Sequence, residues 1–142
     1  MARAAAGQRV GSLKASSDGL VTFEAQDGFT VVRLVGSRAL GVLDAERLAD
    51  HYQDAVKRSG ARLVLDFSGR KELGLGVIRA AADACRRCRD LGGRGAVSGL
   101  PKGAGSVLRA LPDGDAAVIC RDVRAARRRM ADGKPFKFPW AA

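Results

Sequence analysis

The stretch "ARLVLDF", residues 61–67, is apolar at nearly every position. A strand with one face in water alternates apolar and polar side chains, and a strand buried on both faces does not. Residues 63–67 therefore belong in the interior of a sheet covered on both sides, an arrangement built from parallel strands joined by helices. A chain of 142 residues holds one such domain. Apolar residues make up 46% of it and aromatic residues only 5%, so its core has to be assembled from Val, Leu, Ile and Ala.

The flanking sequence supplies the other elements. Residues 20–24 alternate and run to an Asp27-Gly28 turn signal, and residues 29–35 follow as a second strand, making a hairpin. Helical spacing begins at Asp44, the expected cap, and sets Leu48, Tyr52, Ala55 and Val56 on one stripe before Ser59-Gly60 stops it. After the 61–67 run a long helix spans 75–91 and ends at Gly92-Gly93. "RGAVSGL" reads as a strand, and residues 101–111 as a short helix with Pro101 at its start. "DAAVIC" is a further strand and "RDVRAARRRMA" a closing helix. The order β-β-α-β-α-β-α-β-α predicts an α/β fold, a mixed, mostly parallel sheet of about five strands with four helices, antiparallel only at the opening hairpin. Residues 1–19 read as a flexible arm, 20–130 as the domain, and 131–142 as a basic, aromatic tail.

Little in the chain suits catalysis or metal binding. Cys85 and Cys88 form a CxxC, but the other candidate ligands, Cys120 and His51, stand at no zinc-ligand spacing. Ile78, Ala81, Cys85, Cys88 and Leu91 instead recur on one helical face, where free cysteine packs as a small hydrophobe. The single histidine, His51, falls on the flank of a helix as a solvated or edge residue. "GLPKGAGS" lacks the Gly-Lys-Ser/Thr that a phosphate-binding loop requires, and reads as a strand-to-helix turn. No window approaches the roughly 18 uninterrupted apolar residues of a membrane span, and the N-terminus has no apolar secretory core. The sequence predicts a cytoplasmic protein without cofactor, metal or enzymatic activity. Asp66 does fall at the carboxyl end of a parallel strand, where α/β sheets bind ligands, so a small-ligand or enzymatic use of that crevice is a third reading.

The net charge is +10, and residues 121–142 carry half of the excess, with seven basic and two acidic residues. The ordinary reading is a solubilising helix face followed by a loose end. The alternative is nucleic-acid or anionic-ligand binding through Arg121, Arg124 and Arg128 along the last helix, with Lys134 and Lys137 interleaved with aromatics in "KPFKFPW".

The element order and the segment "ARLVLDFSG…LGLGVI" together resemble the STAS domain, named for sulphate transporters and anti-sigma factor antagonists. "DGFTVVRLVG", "CRDLGGRGAVSGL" and "VLRALPDGDAAVICRDVRAA" extend the similarity over about residues 20–130. In that family an Asp-Ser-Ser/Thr-Gly-Leu motif opens the helix after the central strand, and its serine accepts phosphate from an anti-sigma kinase. Here only "RKEL" separates Ser68-Gly69 from Gly74, so no serine occupies the matching place; Ser68, nearby, is the weak candidate for phosphorylation.

The resemblance implies a non-catalytic protein–protein interaction module of the anti-sigma-antagonist kind, partnered by an anti-sigma factor or related regulatory kinase. It places the partner surface on Asp66, Ser68, Arg70, Lys71, Glu72 and Gly74, with Arg79 one turn into the helix. Arg70 and Lys71 lie on a polar turn and put positive charge where the phosphate of a modified serine would bring negative charge. Binding independent of serine phosphorylation follows from that inversion.

Overall fold

A computed structural model describes residues 13–26 and 28–131. Six strands form one sheet in chain order: β1 (Leu13–Ala15), β2 (Val21–Gln26), β3 (Phe29–Leu34), β4 (Arg62–Asp66), β5 (Arg94–Ser98) and β6 (Ala117–Cys120). The first three pair antiparallel, and β3 to β6 pair parallel. The helices are α1 (Val42–Arg58), α2 (Leu75–Asp90), α3 (Ala104–Ala110) and α4 (Val123–Ala131), with a 3₁₀ turn at Gly114–Ala116 before β6.

The unbroken apolar character of β4 now has its cause. Leu63 and Leu65 join one core with α1, α2 and α3, through Leu48, Tyr52, Ile78, Cys85 and Leu108. Val64 points the other way, into a second core with Val31, Ala96 and, from α4, Ala126 and Met130. Neighbouring strands repeat the split, with Val32 and Val97 on the first face and Val31 and Ala96 on the second. On the two central strands, residues 63–66 of β4 and 95–98 of β5 are therefore buried whichever way they point.

Gly95 sets how closely α2 lies on the sheet. A Cβ there would come within 2.8 Å of the Cα and Sγ of Cys85, so helix backbone rests directly on β5. Cys85 and Cys88 are buried in the core, as their helical spacing predicts. Burial pushes the Cys88 thiol up to about 12 and the Cys85 thiol higher still, which keeps both protonated and unreactive at neutral pH. The α4 C-terminus is closed by two arginines: Arg62 Nη2 donates to the Met130 carbonyl at 2.6 Å, and Arg94 Nη1 to the Arg129 carbonyl at 2.9 Å. Cations belong there, against the negative end of the helix dipole.

Three details differ from the sequence expectation. A sixth strand, β1, arises from residues 13–15, paired to β2 from Leu13↔Glu24 to Ala15↔Thr22. Its turn is tied by Asp18, whose carboxylate accepts from the Ser16 hydroxyl at 2.6 Å and lies 2.7 Å from His51 Nε2 on α1. The Ser16 hydrogen bond, with His51 second, holds the Asp18 carboxyl well below the usual carboxylate range. His51 is thus an edge residue with a structural partner. Helix α1 starts at Val42, two residues before the expected cap; Asp44 acts from inside the first turn, accepting the Gly41 N–H at 2.9 Å and a 3.0 Å hydrogen bond from Arg38 Nη1. Arg38 and the Gly41 amide lower the Asp44 carboxyl to about 2. Leu91, expected on the buried stripe of α2, is 60% exposed just past the helix end. The Asp27 half of the hairpin turn signal, residues 1–12 and residues 132–142 lie outside the described residues.

Candidate functional site

The loop from Asp66 to Gly74 crosses the carboxyl end of the sheet between β4 and α2. Asp66 is buried and takes donors from three directions. Its Oδ1 accepts from the Ser68 amide at 3.1 Å, the Ser68 hydroxyl at 2.6 Å and the fully buried Ser98 hydroxyl at 3.1 Å. Its Oδ2 accepts from Arg33 Nε at 3.2 Å, and Arg33 Nη1 continues to Glu24 at 2.6 Å. The aspartate is a bracket joining the ends of β3, β4 and β5, with its carboxylate already engaged by internal donors.

Arg70 differs from its sequence reading. It is only 8% exposed, and its guanidinium reaches back to the loop after β3, donating to the carbonyls of Arg38 and, at 3.3 Å, Val35. Its Nε is buried without a hydrogen-bond partner, and no carboxylate pairs with the side chain among the described residues. Lys71 and Glu72 do stand on the exposed turn, without an ion pair among the described residues. Gly74 is the N-cap of α2, extended at φ −73° and ψ 161°. No side chain caps that end, and no acidic residue lies in the first turn. Arg79 is exposed one turn further on.

Two adjoining depressions follow from this layout. One, of about 520 Å³, lies between the 37–40 and 69–74 loops and is lined by Ser37, Arg70, Lys71, Glu72 and Gly74. The other, of about 480 Å³, is a groove between the N-terminal halves of α1 and α2. Leu40, Ala45, Ala49, Leu75 and Ala80 give it an apolar floor, with Glu46, Arg79 and Asp83 at its edge. Gly76 permits the close helix approach there, since a Cβ on it would sit 3.2 Å from the Ala45 Cβ. Within its lining Val42 is 78% exposed and Leu75 48%, and Leu43, next to Val42, is 66% exposed.

Those apolar residues are the part of the site that sequence reasoning missed. Their signal was Val42 and Leu43 preceding Asp44 without fitting the Leu48, Tyr52, Ala55 stripe, hence pointing away from the core. The structure brings Arg70, Lys71, Glu72 and Gly74 around one depression, and sets Arg79 in the neighbouring groove. The alternative cluster lies elsewhere. Arg124 and Arg128 are exposed on α4, and Arg121 precedes that helix, 3.8 Å from Asp122. Lys134 and Lys137 are outside the described residues. Among the described residues, no group of three or more His, Cys, Asp or Glu side chains is placed to hold a metal ion, and no helix is long and apolar enough to cross a membrane.

The fold these elements make is STAS-like, as the sequence resemblance implies. No protein-family model and no curated protein matches the sequence. Among solved structures, an NMR structure of protein TM1081 superposes with a TM-score of 0.60 at 15% identity, over 77% of this chain and 86% of that one. A crystal structure of TM1081, from Thermotoga maritima and provisionally named an anti-sigma factor antagonist, superposes with a TM-score of 0.59 at 14% identity. That match covers 84% of this chain and 93% of the other. At these identities the likeness is one of fold.

Proposed function

We propose that this chain is a non-catalytic regulatory module that acts by binding another protein, in the manner of an anti-sigma factor antagonist. The partner is an anti-sigma factor or related regulatory kinase, and binding does not depend on serine phosphorylation of the β4–α2 loop. The observation that carries the reading is the apolar groove between α1 and α2, with Val42 and Leu75 of its lining and the adjacent Leu43 left in water. Large apolar side chains clustered next to a concave, charge-edged surface suit a protein interface. The provisional name of the TM1081 crystal structure supports the partner class.

Phosphorylation independence has a local physical argument. Residues 69–74 contain no serine or threonine. Ser68 commits its hydroxyl proton to Asp66 at 2.6 Å. A phosphate on that oxygen would set a charge of about −1.5 to −2 against a buried carboxylate, a repulsive arrangement.

Binding of the full chain to an anti-sigma kinase, measured by calorimetry, tests the reading. Leu75→Glu and Val42→Glu should each weaken the complex by about 30-fold, the loss of roughly 2 kcal/mol expected of a central interface side chain. Arg124→Glu with Arg128→Glu should leave it within about twofold. The second reading, nucleic-acid binding, rests on Arg124 and Arg128 being exposed with no ion pair among the described residues. A kinase complex indifferent to both groove variants would reject the groove. A single-stranded nucleic acid bound with a steep salt dependence that the arginine reversals abolish would put the second reading in its place.

A further inference from the structure

We infer that the end of the domain where the parallel strands begin binds the phosphate backbone of a nucleic-acid duplex. The inference goes beyond the partner reading and stands without it, because the α1–α2 groove lies at the opposite end of those helices. Chain order brings the cations together. Helix α1 runs into β4 through residues 59–61 and α2 into β5 through residues 91–93, so each helix C-terminus adjoins a strand start. The C-terminus of α4 reaches the same place, held by the side chains of Arg62 and Arg94, which are paired neighbours on β4 and β5. Each of these three helices carries two cations in its last turn: Lys57 and Arg58, Arg87 and Arg89, Arg128 and Arg129.

Helix dipoles and nearby acids account for some of these cations and not for the rest. Arg62 and Arg94 donate to α4 carbonyls. Arg58 pairs with Asp54 at 3.2 Å, and Arg89 with Asp113 and Asp115 at 3.6 and 3.7 Å. Asp90, the last residue of α2, pairs with Arg86 at 3.3 Å. The acidic side chains beside this end, among the described residues, are thereby engaged. Lys57, Arg87, Arg128 and Arg129 remain, all exposed, with no side-chain hydrogen bond or ion pair among the described residues. Four uncompensated like charges at one end make a field that favours a polyanion.

The surface is also low. Its two connections, Ser59-Gly60-Ala61 and Leu91-Gly92-Gly93, are three residues each, and only Leu91 among them has a side chain larger than serine. A duplex is a rod with one phosphate charge per ~1.7 Å of axis, and it can lie across such a surface. Three of the four cations are arginines, whose planar fork matches phosphate oxygens. No aromatic side chain is exposed among the described residues, so single-stranded bases find no stacking platform there. A membrane would ask for an apolar face, and Leu91 alone does not make one. Of the cations in the second reading above, only Arg128 belongs to this surface.

The test is the fluorescence anisotropy of a labelled DNA duplex of about 20 base pairs and arbitrary sequence, titrated with the full chain at several salt concentrations. A dissociation constant of about 1 μM is expected near 50 mM salt, rising roughly 150-fold by about 200 mM, the counterion release of four phosphate contacts. Lys57→Glu with Arg87→Glu should weaken binding at least tenfold and flatten the salt slope by about two. The equal charge change of Arg121→Glu with Arg124→Glu, at the opposite end of α4, should leave binding within about threefold. A thermal melt near the native one shows that each variant is folded. If the reversed pair does not fold, Lys57→Gln with Arg87→Gln takes its place, with at least a threefold loss expected. Absence of binding at the lowest salt, a salt slope near zero, or a larger effect from the Arg121 and Arg124 pair than from the Lys57 and Arg87 pair would each overturn the inference. So would a chain that sediments with vesicles of phosphatidylcholine and phosphatidylserine and does not bind the duplex, which would assign the surface to a membrane.

Discussion

Val64→Asp is expected to leave no folded protein in solution. Val64 is fully buried, aligned between Val31 and Ala96 in the middle of the sheet, and faces the α4 residues Ala126 and Met130. A carboxylate there has no donor to meet and no route to water short of lifting α4 away. An unpaired buried charge costs several kcal/mol, against a total stability of roughly 5–15 kcal/mol for a domain. Soluble yield and a thermal melt followed by circular dichroism check it. A soluble variant with a cooperative melt close to the native one would contradict the two-sided burial of β4.

Charge reversal at Arg70 should be nearly as damaging, while its neighbour tolerates the same change. Glu at position 70 would turn a carboxylate toward the carbonyls of Val35 and Arg38, two acceptors that now hold the guanidinium. The expected loss is about 3–5 kcal/mol, the range for removing one partner from a buried charged arrangement. Lys71→Glu, on an exposed residue without a partner among the described residues, should change stability by less than about 0.5 kcal/mol. Urea midpoints of the two variants, compared at equal m-value, decide the point. Equal midpoints would mean that Arg70 is as free as the sequence suggested. Binding studies of the loop should therefore use Lys71 and Glu72, because reversal at Arg70 confounds folding with recognition.

What could be read from the chain follows from where each element gets its stability. Strand β4 was legible because burial on both faces erases alternation, and α1 and α2 because their buried residues recur at helical spacing. The edge strand β1 was not, since "LKA" is wholly exposed and held by backbone pairing, which leaves no pattern in the side chains. The N-cap of α1 was placed three residues late because Asp44 caps from the third helical position back to Gly41, whereas the sequence reading put Asp44 at the N-cap itself. Asp66 was legible as a residue at the end of a buried strand. Its role as a bracket was not, because beside the two hydrogen bonds from nearby Ser68 the donors that tie it to the neighbouring strands are Ser98 and Arg33, about thirty residues away on either side. Arg70 turned inward for a similar reason: its partners are main-chain carbonyls of another loop, and carbonyls are invisible in residue identity.

The central claim is a partner complex that serine phosphorylation does not control, and one measurement addresses it most directly. The full chain is incubated with an anti-sigma kinase and ATP, and its intact mass and co-elution with the kinase are followed over time. The account predicts an unchanged mass and a complex that persists through the incubation. A chain that gains the mass of a phosphate at Ser68 and leaves the kinase as it does so would contradict it.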